Sequence, residues 1–178
     1  QTTLASKIFR DCKFQYCILT ETVFAGCKFY NCTFKECDLS LMKVKNCIFS
    51  EVTFDSCKVV GINWTEAMWG NASLLGSINF TDCTLNYSTF IGLKLKKIAL
   101  TRCLARDVDF SETDLTQANC SGTDFTDSRF MHTNLTQADF TKATHYNIAA
   151  TQNTLKKTRF SLPEAVAPLQ SLDIDLEV

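Results

Sequence analysis

Glycine and proline are scarce, 6 and 2 in 178 residues, so little is left to punctuate loops. No excess of either charge exists: 18 Lys and Arg face 19 Asp and Glu, for a net charge of −1. That balance argues against generalised nucleic-acid binding, which wants a basic footprint. No apolar run approaches the roughly 18 residues of a membrane span. No charged-then-apolar leader opens the sequence, although it begins at Gln1 rather than Met and so leaves a removed leader open. A glycine-rich phosphate loop, GxSxG and HExxH are all missing. At this length there is room for one domain and none for a two-domain enzyme. An apolar fraction of 46% can still bury a core, which excludes disorder. Against these absences stand 14 Phe and 10 Cys.

Their positions explain the excess. Phe9, Phe14, Phe24, Phe29, Phe34, Phe49 and Phe54 all leave remainder four on division by five. Phe80, Phe90, Phe110, Phe125, Phe130, Phe140 and Phe160 are all multiples of five. Leu, Val and Trp fill the gaps in the same register, for instance Leu39, Val44, Trp64, Trp69, Leu74, Leu115 and Leu155. Two residues before each such centre the side chain is small, as at Cys27, Cys37, Ala67, Thr113 and Ala138. Nine of the ten Cys occupy this small position, and only Cys120 is a centre. Period five fits neither an α-helix nor an ordinary strand. Sustained over most of the chain, it means a solenoid.

Units such as Thr113-Asp114-Leu115-Thr116-Gln117 and Ala138-Asp139-Phe140-Thr141-Lys142 resemble the A(D/N)LXX signature of pentapeptide-repeat proteins. The resemblance implies an all-β fold, a right-handed quadrilateral β-helix with four pentapeptides in each square coil. One large and one small residue of every five point inward. On that reading residues 1–160 form about eight coils, a rod roughly 40 Å long at the spacing of β-strands. Centres one coil apart stack, giving one ladder of Phe9, Phe29, Phe49 and Trp69 and another of Phe14, Phe34, Phe54 and Leu74. A register slip over 75–79 reads as a bulge or short loop.

The cysteines read as packing. They fall in inward ladders whose parallel side chains have poor disulfide geometry, and no Cys/His cluster has zinc spacing. Many unpaired thiols suggest a reducing, cytoplasmic compartment. His145 falls at a centre and is expected half-buried in the last full coil. His132 points outward one rung above Glu112. Neither has the partners of a catalytic group, so no enzyme, cofactor or metal is expected.

Charge distribution says more than its sum. Lys94, Lys96, Lys97, Arg102 and Arg106 are followed by Asp107, Asp109, Glu112, Asp114, Asp124, Asp127 and Asp139, with Arg129 the one Lys or Arg among those acids. Some pairing is expected, Lys94 with Asp114 and Asp109 with Arg129. Asp107 over Asp127 is a like-charge rung. The seven acids are read as a negative, partner-binding stripe on a narrow rod, set against a merely solvated face.

The five-residue period ends at Phe160. Over 161–178 the sequence predicts a helix and a terminal strand. Ser161, Pro163 and Glu164 read as a capping box, Leu162, Val166, Leu169 and Leu172 as an apolar stripe, and Pro168 as a kink. Residues 173–178 alternate, with Ile174 and Leu176 on one face. These six apolar residues are expected to form a homodimer interface. The tail also resembles the end of the topoisomerase-protecting branch of the family, the Qnr-type and microcin-immunity proteins. That likeness implies a non-enzymatic, DNA-like dimer that binds DNA gyrase or topoisomerase IV and protects or modulates it, without touching nucleic acid or membrane. The rival reading is an interaction scaffold for another partner.

Overall fold

The computed structural model describes residues 2–70 and 78–174. The chain winds as a right-handed quadrilateral β-helix of about eight turns. Its first coil holds β1 (Thr3–Ala5), β2 (Ile8–Arg10) and β3 (Lys13–Gln15). Directly over them lie β4 (Val23–Ala25), β5 (Lys28–Tyr30) and β6 (Thr33–Lys35), each parallel and 20 residues on. Strands this short cannot stand alone. They are fixed by bonds between coils, such as Val23 N–H to Thr2 O at 2.9 Å and Lys28 N–H to Lys7 O at 2.8 Å. Farther along, single parallel bridges such as Asp114–Asn134 carry the same register.

Corners explain the lack of glycine. The residue two after most centres takes a left-handed conformation, as at Asp11 (φ 53°), Asn31 (φ 49°), Asp107 (φ 52°) and Asp127 (φ 59°). Among the described residues, 24 non-glycine residues have positive φ, and acidic, basic, amide, aromatic and aliphatic side chains all turn these corners. Each costs on the order of 1 kcal/mol. An inter-coil bond offsets it, for example Asp107 N–H to Thr126 O at 3.0 Å.

Inside, the predicted columns exist. Phe9, Phe29 and Phe49 stack at centroid separations of 4.9 and 5.2 Å, and Phe14, Phe34 and Phe54 at 4.5 and 5.1 Å. Neighbouring columns meet edge to face, as Phe29 does with Phe34 at 5.8 Å. The small inward residues do a second task. Thr123 Oγ1 accepts from Cys103 N–H at 3.0 Å and donates to Leu100 O at 2.6 Å, tying its coil to the one before. Ser88 does the same between Ile62 N–H and Val59 O.

Several expectations need correction. The rung over Phe54 is Phe80, not Leu74: β8 (Val52–Asp55, after β7 at Ile48–Ser50) pairs directly with β9 (Ile78–Thr81). That coil therefore takes 26 residues instead of 20, so six are inserted where a slip of one was expected. Residues 71–77, which carry most of the expected slip over 75–79, lie outside the described residues. Trp69 does not extend the Phe49 column as read; its Nε1 donates to Trp64 O at 2.7 Å and its ring tilts against Trp64.

His145 is not a core residue. Its φ of 56° turns the ring outward, where Nδ1 meets Asp124 Oδ1 at 3.0 Å. Tyr146 enters the tube in its place, packing against Phe140 and Phe160 at 5.8 and 5.4 Å. The apolar ring of the tyrosine suits that interior better than an imidazole with two polar nitrogens.

After β10 (Leu100–Thr101), β11 (Asp139–Phe140) and β12 (Arg159–Phe160), the described residues of the tail contain one element, the short helix α1 (Val166–Gln170). No capping box forms, because Ser161 Oγ instead accepts from Lys142 N–H at 2.7 Å and α1 starts beyond it at Val166. Pro168 produces no kink: it falls in the first turn, where a backbone N–H has no helical partner anyway. Asp173 has φ 54°, so the expected strand does not begin there; residues 175–178 lie outside the described residues.

Candidate interaction surfaces

The seven acids of residues 107–139 do not form one stripe. Asp109, Asp114, Asp124 and Asp139 each precede a centre, and their bridges fall on four different sides of the coil. A 20-residue coil has four sides, so residues five apart lie a quarter turn apart. Each of the four also serves its own repeat: Asp109, Asp114, Asp124 and Asp139 accept from the backbone N–H two residues on, at 2.9–3.1 Å.

All four are neutralised by cations. Arg129 reaches Asp109 at 3.0 Å, Lys96 reaches Asp114 at 3.4 Å, and Arg159 reaches Asp139 at 2.9 Å. Lys96, two residues from the expected Lys94, is the one whose side chain reaches Asp114. Asp124 is the most engaged. Its Oδ2 accepts from Arg106 Nε and a terminal nitrogen at 2.8 and 2.6 Å, while Oδ1 holds Thr126 and His145. Burial alone would favour the neutral acid, but hydrogen bonds from Thr126, Arg106 and His145 hold the Asp124 carboxyl well below the usual range. Asp109 and Asp114 are lowered too, burial again being outweighed by their neighbours.

Asp107 and Asp127 are different. They stack on one exposed corner, above exposed Tyr87, and among the described residues neither has a cationic partner. Glu112 occupies the next corner under His132.

At the other candidate surface the tail is docked in part. Ala167 packs on the core, Pro168 is buried, and Ser171 Oγ accepts from Ala150 N–H at 2.7 Å. Leu162, Leu169, Leu172 and Ile174 of the same tail are all exposed, with Leu162 at 80%. Val166 is intermediate, and Leu176 lies outside the described residues. Among the described residues no helix is long and apolar enough to cross a membrane.

The tube, its corners and its five-residue register define a β-helical solenoid. A family model for a pentapeptide repeat region matches residues 7–78 and 67–140, and the chain belongs to that family. Among solved structures it is similar to QnrB1, a plasmid-mediated fluoroquinolone resistance protein. Full-length QnrB1 superposes with a TM-score of 0.66 at 19% identity, covering 97% of this chain and 98% of that one. A trypsin-treated QnrB1 variant gives 0.68 at 16%, covering 99% of each. At such identities the likeness is one of fold. No curated protein matches the chain.

Proposed function

We propose that this rod acts as a non-enzymatic, protein-binding homodimer whose partner is a type II topoisomerase, DNA gyrase or topoisomerase IV. It modulates that enzyme or protects it from inhibitors. The observation that carries the reading is the match to the Qnr fold over nearly the whole of both chains. Two local features support it. The tail leaves four large apolar side chains uncovered at one end, which suits a twofold partner. Asp107 and Asp127 offer stacked carboxylates that a groove built for phosphates would attract.

A second reading, a scaffold for some other protein, is favoured by the ion pairing of Asp109, Asp114, Asp124 and Asp139, which removes most of the expected negative field. A gyrase supercoiling assay separates the two. With added protein, a fluoroquinolone is expected to inhibit less, or supercoiling itself to change. Unaltered inhibition together with undetectable binding removes the topoisomerase reading and leaves the scaffold.

A further inference from the structure

Lys7 stands where the repeat asks for something small and neutral. It lies two residues before the centre Phe9, in register with Cys27 and Cys47 on the next two coils, and both of those are fully buried. Among the described residues no other inward position of the repeat, centre or small, holds Lys, Arg, Asp or Glu. Lys7 escapes burial because it lies at the open face of the first coil, where it is exposed.

In every other respect that face is adhesive. Leu4, Phe9, Phe14 and Leu19 are only half-buried, whereas their counterparts one coil on, Phe24, Phe29, Phe34 and Leu39, are buried. The backbone edge is open as well. Lys28, Thr33 and Asp38 donate their N–H groups to Lys7 O, Cys12 O and Cys17 O of the first coil at 2.8–2.9 Å. Ile8, Lys13 and Ile18, one coil earlier, have no such acceptor among the described residues. Unpaired strands around an apolar face are a template for a second copy, and natural proteins blunt such edges with lysine and with inward-pointing charge.

We infer that Lys7 is an end guard, which stops a second copy from stacking its first coil on this one. Stacking would enclose Lys7 as Cys27 is enclosed. Among the described residues the tube interior holds no carboxylate to pair with it, and an ammonium enclosed without a partner is strongly disfavoured. Its stem cannot carry the charge outward either, because bonded coils lie only about 4.8 Å apart. Arg10 and Lys13 on the outside of the same coil add like-charge repulsion, but salt screens that, whereas it does not relieve an enclosed charge. A rod adhesive at both ends extends into open chains. The guard leaves this end unpaired, so self-association is confined to other surfaces. The inference holds whether or not the tail forms a dimer.

The test is sedimentation at high salt and micromolar concentration, with Lys7→Ala placed in the 178-residue chain and in a chain whose tail carries Leu169→Asp and Leu172→Asp. Ala67 already fills the same inward column, so Lys7→Ala is expected to fold. In both backgrounds it should at least double the sedimenting mass, with the β-rich circular dichroism retained. Lys7→Arg should keep the parent's mass. Lys13→Ala removes the same charge from the outer surface and should also change nothing. An unchanged mass for Lys7→Ala in the tail-substituted chain would overturn the guard. Equal association by Lys13→Ala would overturn it too, by reducing the effect to repulsion, as would association that accompanies loss of the β-rich signal.

Discussion

Phe80 lies on Phe54 as one ring on the next, centroids 4.9 Å apart and planes 12° from parallel, although 26 residues separate their coils. Trp64 and Phe90 bridge the same step on another side, at 5.9 Å and 10°. These two aromatic columns therefore run past the six-residue insertion without a break, and they join its two sides into one stack.

That continuity makes a central ring indispensable. Phe34 is buried between Phe14 and Phe54. Phe34→Ala should cost about 3–5 kcal/mol, read from denaturant or thermal unfolding. Near-wild-type stability would mean the rings are not in register.

Tyr146 runs the other way. Its ring is buried, and among the described residues its hydroxyl has no hydrogen-bond partner. Burial, with Glu164 nearby, pushes the phenol up to about 12. Tyr146→Phe keeps the ring and removes the orphaned group, so stability should rise by about 1 kcal/mol. A loss on calorimetry would reveal a partner for that hydroxyl.

Asp109, Asp114 and Asp124 are harder to protonate in the folded chain than in the unfolded one. Their pairs should stabilise the rod fully above the ordinary carboxylate range, about pH 4. That contribution should drain away as pH falls through and below that range. Asp124→Asn should lower stability near neutral pH by about 1–3 kcal/mol and flatten the acid limb of the profile. A variant whose pH–stability curve overlays the parent would remove Asp124 from this role.

The corner acids test the proposed partner. Asp107→Asn with Asp127→Asn should weaken topoisomerase binding and reduce its salt dependence. Stability should hold or rise slightly, since asparagine tolerates the left-handed corner and a like-charge rung is relieved. Equal affinity at low salt would return both residues to the solvated surface.

Oligomeric state tests the tail. Leu169→Asp with Leu172→Asp places two charges on the exposed side and leaves the docked Ala167 and Pro168 alone. Sedimentation should move from dimer to a folded 20.0 kDa monomer. A parent chain already running as a monomer at micromolar concentration would make the tail a cap for its own coil.

What could be read beforehand follows from how the information is stored. Phe at every fifth place is a local, repeated signal, and it specified the tube, its columns and the inward cysteines. The identity of the rung above Phe54 was hidden, because an insertion leaves the modulus shifted by one whether one residue or six are added. His145 misled because the period counts positions and does not weigh polarity, while the tube rejects an imidazole and takes Tyr146. The acids misled for a simpler reason: neighbours in sequence between 107 and 139 are distributed around four sides, and only Asp107 and Asp127 share a corner. At the tail no repeat exists, and Ser161 bonded to Lys142 where a helix cap was expected.

The left-handed corners carry one more consequence. Because Asp, Lys, Tyr, Leu and Gly all turn the chain there, while no β-branched residue does among the described residues, the fold accepts a wide range of unbranched side chains at a corner. Each corner is an addressable point on a lattice of fixed pitch, and its chemistry can be rewritten without redrawing the scaffold. Two rods of identical shape can therefore present unrelated surfaces, and recognition can diverge while architecture stands still.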